Sequence, residues 1–273
     1  MSTTATPDYA AITARQRQTW ASGDFATIAT LITLTADHLC DTADLRCGWN
    51  VLDIATGTGN AALSAARHGC RAVGLDFVPS LLRRGETRAA AEGLAVEFVE
   101  GDAQALPFAD GTFDAVTSVF GAMFAPDHRT VAREMTRVVR PGGVIAMANW
   151  TPSGFIGDMF AIVGAHVPPP PGLVPGTAWS QESHLRDIFG DALATVWVTP
   201  ATFTFRAPGP AEFVDFFRRW YGPMVKAFEA VGEDGAQALE ADLVSLARSY
   251  DRLGDGATAI PATYAEVVLT LKG

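Results

Sequence analysis

Residues 51–60, VLDIATGTGN, constrain the fold more than any other stretch of the chain. A short apolar run carries an acid, Asp53, in its middle, then opens into a loop with Gly57 and Gly59 two residues apart. Glycines at that spacing let the backbone turn sharply and let a ligand approach where a Cβ would clash. A strand that ends this way reads as one strand of an open α/β sheet with a ligand beyond its carboxyl end.

The surrounding sequence supports that reading. Strand-type runs at 51–55, 72–76, 96–100, 113–119 and 144–150 alternate with helix-type runs at 60–68, 79–92 and 127–139. Short, β-branched strands alternating with helices predict a parallel sheet covered on both faces. Pro141-Gly142-Gly143 predicts a turn into the fifth strand. Upstream, 8–22 and 25–40 read as two helices broken at Ser22-Gly23-Asp24. Beyond Trp150 the alternation stops. A short helix leads into HVPPPPGLVPG, an extended proline tract. A helix at 180–189, a β-rich run at 194–205, helices at 212–231 and 236–250 and a strand at 264–271 follow.

Composition narrows the function. The chain of 273 residues is 48% apolar and 18% charged, the balance of a globular protein with ample core. A net charge of −10 without any Lys/Arg cluster argues against nucleic acid and anionic membrane surfaces as partners. No apolar run is long enough to span a bilayer, and the polar N-terminus shows no secretory signal. Cys40, Cys47 and Cys70 are scattered and odd in number, which fits reduced thiols in a cytoplasm and no zinc site.

Two ligands compete for the glycine loop. Gly57-Thr58-Gly59-Asn60-Ala61-Ala62 fits a dinucleotide fingerprint, and Asp76, 17 residues past Gly59, fits the acid that binds ribose hydroxyls. Asp53 favours the other candidate, S-adenosylmethionine (SAM). An acid there can orient the loop and help hold the cationic methionine ammonium, whereas it would repel a pyrophosphate. Asp102, in GDAQALPF, stands where a carboxylate can accept from an adenine amine. No motif for hydride transfer or for a second nucleotide half is present.

The motif series VLDIATGTGN, GLDFVPSLL, FVEGDAQALPFADGTFDAV and RVVRPGGVIAMANW resembles class I SAM-dependent methyltransferases. More narrowly it is similar to the methyltransferase type 11 enzymes related to those of ubiquinone and menaquinone biosynthesis. The resemblance covers about residues 12–150 and extends more weakly through FGAMFAPD, NWTPSGFIG and RRWYGP. Ala55 departs from it, since many relatives carry glycine there. The resemblance implies a Rossmann-like, doubly wound sheet of seven strands, mostly parallel with the last antiparallel. It implies one domain over 1–273: an N-terminal helical lid at 1–45, a SAM-binding core at 46–150, and remaining strands with acceptor-binding insertions at 151–273.

Position by position, the resemblance places Asp53, Ala55, Gly57 and Gly59 around the methionine part of SAM. Asp76 would hold the ribose, Phe77 would pack on adenine, and Asp102 with Ala103 would meet the adenine amine. Ser118 and Val119 would line the cofactor after the fourth strand, and Trp20 and Gly23 would close over it. The activity implied is methyl transfer (an EC 2.1.1 type) to a small, apolar or aromatic acceptor, releasing S-adenosylhomocysteine. Two rivals are a protein that binds SAM without methylating, such as a cyclase, and an NAD-dependent oxidoreductase.

Methyl transfer from a sulfonium mainly requires alignment and exclusion of water. A base is needed only when the nucleophile arrives protonated. Candidates are His128, His166 and Tyr221. The two histidines also have plain structural readings: His128 as a solvated residue in the first turn of a helix capped by Asp127, and His166 on the surface. Phe124, Trp150, Phe155, Phe217 and Trp220 are candidate acceptor walls, with Tyr221 able to orient the acceptor through its hydroxyl. In a helix Phe213, Phe216, Phe217 and Trp220 form one apolar stripe.

Overall fold

The computed structural model describes residues 7–254 and 256–273. The first six residues of the polar N-terminus read above, within the 1–45 segment, lie outside them. Three helices lead in: α1 (Tyr9–Ala21), α2 (Phe25–Leu31) and α3 (Thr33–Thr42). The alternating part follows as β1 (Asn50–Ile54), α4 (Asn60–Arg67), β2 (Arg71–Asp76), α5 (Pro79–Glu92), β3 (Val96–Glu100), β4 (Phe113–Val119), α6 (His128–Val138) and β5 (Val139–Trp150). The remainder is α7 (Phe155–His166), α8 (Glu182–Phe189), β6 (Leu193–Ala207), α9 (Pro210–Trp220), α10 (Gly222–Tyr250) and β7 (Thr258–Leu271).

The seven strands form one sheet in the order β3-β2-β1-β4-β5-β7-β6. β3, β2, β1, β4 and β5 pair in parallel, and β7 runs antiparallel to both neighbours. This is the Rossmann-like, mostly parallel sheet with an antiparallel last strand. Chain order reverses between β1 and β4, so their carboxyl ends open the crevice that receives ligands in such sheets. The central strands are buried on both faces; Val51, Leu52, Ile54, Ala115, Val116 and Ile145 have no exposed surface. Among the described residues no helix is long and apolar enough to cross a membrane.

Four boundaries differ from the sequence reading. The helix expected at 25–40 breaks at Ile32 (φ −105°, ψ 15°). The Asn60 side-chain amide donates to the Ala29 carbonyl at 2.9 Å, taking the acceptor that an unbroken helix would offer to Thr33. The helix expected through 212–231 ends at Trp220, because Gly222-Pro223 cannot continue it; Pro223 instead sits in the first turn of α10. The break read between 231 and 236 is present as a kink within α10 at Gly232 (φ 66°, ψ −174°), where two helical segments meet.

β5 begins at Val139, and Pro141-Gly142-Gly143 forms a bulge inside it, between the Phe113–Val139 and Ala115–Val144 pairs. β7 extends back to Thr258 across Pro261. That proline pairs with Thr204 of β6, while β5 has already ended opposite Tyr264, so no second neighbour needs its missing N–H.

Candidate active site

The carboxyl ends of β1 and β4, roofed by α1 and α2, form a cleft. Its loop geometry follows from three residues with left-handed backbone: Ala55 (φ 50°), Gly57 (φ 57°) and Gly59 (φ 85°). A Cβ on Gly59 would lie 2.9 Å from the Phe98 ring, so only glycine fits there. Gly59 also caps α4, whose first-turn N–H of Ala62 donates to Asp53 at 3.2 Å.

Asp53 is 2% exposed, and its two oxygens accept from Thr56 Oγ1, Thr117 Oγ1 and the Ala62 N–H. Burial raises its pKa to about 7 against the pull of those three donors. Asp76, at the end of β2, accepts the N–H of Gly57 at 2.8 Å and of Val78 at 2.9 Å. Burial raises it to about 6. Asp102 accepts the N–H of Gln104 at 2.9 Å, and the Gln104 amide reaches on to Thr13 of α1 at 2.9 Å. All three carboxylates line the cleft.

A second chamber adjoins the cleft and shares Trp20, Phe25, Ile32, Phe120 and Phe124 with it. Its other walls come from Trp150, α7, Phe205 of β6, Phe217 of α9 and Tyr221. Trp20 is the hinge between chambers, with ring centroids 5.5 Å from Phe25, 5.0 Å from Phe124 and 5.7 Å from Tyr221. Phe120 stacks flat on Trp150 (3.8 Å, 3°) and holds a left-handed backbone (φ 52°), an uncommon state for so bulky a residue.

The structure brings together most residues singled out from sequence. Trp20, Asp53, Ala55, Gly57, Asp76, Phe77, Asp102, Ala103, Val119 and Phe124 line the cleft, and Trp150, Phe217 and Tyr221 line the annex. Others act from behind. Ser118 donates to the Ile54 carbonyl at 2.9 Å and accepts the Ala122 N–H at 2.9 Å, tying β4 to β1. Gly23 approaches the Trp220 carbonyl so closely that a Cβ would sit 2.6 Å from it. Trp220 is 39% exposed and lines neither chamber. Phe155 is buried against Phe205 and Phe213, outside both chambers.

The two histidines stand apart from the cleft. His128, 5% exposed, pairs with His184 at 2.9 Å beside Trp179, and burial with the His184 neighbour lowers its pKa to about 4. His166 bonds Asp242 at 2.8 Å on α10. Among the described residues no cluster of three or more His, Cys, Asp or Glu could hold a metal.

Sequence reasoning missed several contributors. Arg88 of α5 donates to the Thr58 carbonyl, Thr58 Oγ1 and Asn60 Oδ1 at 2.8–2.9 Å, bracing the glycine loop from below. Phe25, Thr56 and Phe120 also line the cleft. Phe120 directly follows β4 in an aromatic-rich stretch, a signal that was available; Arg88 sits in an ordinary polar helix and offered none.

A left-handed loop, acids in or just after three successive strands, two of them (Asp53 and Asp76) buried, and an apolar annex fit an adenosine-and-amino-acid ligand such as SAM. Comparison with known proteins agrees. A model described as "Methyltransferase domain" matches residues 52–147. An uncharacterized protein of Mycobacterium tuberculosis is 38% identical over 250 residues, 90% of each chain. A demethylmenaquinone methyltransferase of Deinococcus radiodurans is 41% identical over 133 residues, 47% of this chain and 55% of that one. The crystal structure of a putative methyltransferase from Bacillus halodurans superposes with a TM-score of 0.60 at 20% identity, covering 87% of this chain and 99% of the other. The chain belongs to the class I SAM-dependent methyltransferases, in the methyltransferase type 11 group.

Proposed function

We propose that the protein transfers the methyl group of SAM to a small apolar or aromatic acceptor, releasing S-adenosylhomocysteine. The observation that carries this reading is the pairing of chambers: a cleft holding three carboxylates shares one aromatic wall with an annex that holds none. SAM bound in the cleft supplies an activated methyl group. Asp53 orients the glycine loop near the methionine ammonium, Asp76 holds the ribose hydroxyls, and Asp102 with Ala103 meets the adenine amine. Phe77 and Val119 pack on the cofactor, while Trp20, Phe124, Trp150, Phe217 and Tyr221 exclude water and present flat walls to the acceptor. In this reading 1–45 form a lid, 46–150 the cofactor half, and 151–273 complete the sheet and shape the annex.

Incubation of the purified protein with SAM and a panel of small aromatic acceptors tests the reading. Methylated product and S-adenosylhomocysteine should appear in equal amounts. An acceptor transformed without S-adenosylhomocysteine release would place the protein among SAM-binding cyclases instead.

A further inference from the structure

The annex presents no Asp, Glu, His, Lys, Arg or Cys side chain; Tyr221 is its one hydroxyl and its one titratable group. Tyr221 is 7% exposed, yet its hydroxyl has no hydrogen-bond partner among the described residues. Burial alone pushes its pKa up, so the phenol keeps its proton throughout the neutral range. The charged residues nearest in sequence point elsewhere: Arg218, Arg219 and Lys226 are paired on the surface with Glu240, Asp215 and Glu229. The hydroxyl is therefore free to donate to a ligand atom in the annex.

We infer that the annex takes an acceptor as an anion already formed in solution, from a weakly acidic phenol, enol or thiol, and that Tyr221 donates a hydrogen bond to its nucleophilic atom. The chain supplies no general base in this scheme, which rests on the methyltransferase reading above. The acceptor's proton has gone to water before binding. Its anionic atom then forms a bond to the methyl carbon as the carbon–sulfur bond breaks, the electron pair staying on sulfur. An anion and a cation thus become two neutral molecules, and the charge lost on the way to products makes low-dielectric walls favourable.

Other nucleophiles fit poorly. An alkylammonium would enter next to a sulfonium with no base to remove its proton and no carboxylate in the annex to pair with. A carboxylate would give up strong hydration for a single donor. A ring phenolate spreads its charge and needs fewer donors.

The test uses 4-nitrophenol, 4-cyanophenol and phenol as probes. Bound to the full-length protein with S-adenosylhomocysteine, 4-nitrophenol reports its own ionisation by absorbance. Tyr221→Phe should raise its bound pKa by about one unit, a tenfold shift, while the melting temperature and the affinity for SAM stay unchanged. With SAM, the pH at which kcat/KM levels off should move with the acidity of each phenol, and Tyr221→Phe should lower kcat/KM at least tenfold. A levelling pH common to all acceptors, preference for benzylamine, or failure of every phenol to bind would overturn the inference. Calorimetry with SAM separates the two claims: if SAM does not bind, the methyltransferase reading falls as well.

Discussion

The Asp76 carboxylate accepts the Gly57 N–H at 2.8 Å, so the end of β2 fixes the loop that follows β1. The same side chain therefore shapes the loop and faces the cleft, and its ionisation matters to both.

That coupling sets a pH dependence. Asp53 and Asp76 have folded pKa values of about 7 and about 6, above the ordinary aspartate value near 4. The folded, ligand-free protein therefore holds protons that the unfolded chain has released, and stability from this source is lost progressively as pH rises from about 4 until it passes the folded values of about 6 and 7. Ligand groups that favour the carboxylates act the other way. SAM affinity should rise about tenfold between pH 5.5 and 7, with proton release seen as a buffer-dependent binding enthalpy. A flat affinity with no buffer dependence would contradict this.

Ala55 holds φ 50° at a position where glycine costs less. Its methyl is tolerated because Gly121 leaves room: a Cβ on Gly121 would lie 2.7 Å from the Ala55 Cβ. Ala55→Gly should stabilise the fold by about 0.5–1 kcal/mol, measured by denaturant unfolding. Gly121→Ala should destabilise it and weaken SAM binding.

His128 is buried, is neutral at pH 7, and bonds only His184. His128→Ala should leave turnover within about threefold and lower stability by about 1–3 kcal/mol. A fall in turnover beyond about 100-fold, with SAM affinity intact, would give it a proton-transfer role instead.

Phe217 is 3% exposed and lines the annex rather than the cleft. Phe217→Leu keeps most of the packing while changing the wall. KM for the acceptor should rise or acceptor preference should change, with SAM affinity within about twofold, the pattern of lost acceptor binding. If only the melting temperature falls, the stripe on α9 is ordinary core.

The cleft was legible because most of its residues are local. Asp53, Gly57 and Gly59 lie within one strand and its loop, and Asp76 and Asp102 each close a strand or its turn. The annex was harder to read because it is assembled from α1, the end of β4, α7, β6 and α9, so its membership depends on tertiary packing. Phe155 and Phe160 share α7, yet Phe160 lines the annex and Phe155 packs behind it. The stripe on α9 divides likewise: Phe217 reaches the annex, Phe213 is core, and Trp220 contributes its carbonyl to the turn at Asp24. The break at Ile32 depends on Asn60, far along the chain, and no local pattern announces it.

Titration calorimetry of one preparation with SAM, S-adenosylhomocysteine and NAD tests the central claim most directly. The first two should bind and NAD should not. In Asp76→Ala, loss of hydrogen bonds to the ribose should weaken SAM binding by roughly 2–4 kcal/mol. Equal binding of NAD, or unchanged SAM affinity in the Asp76→Ala protein, would contradict it.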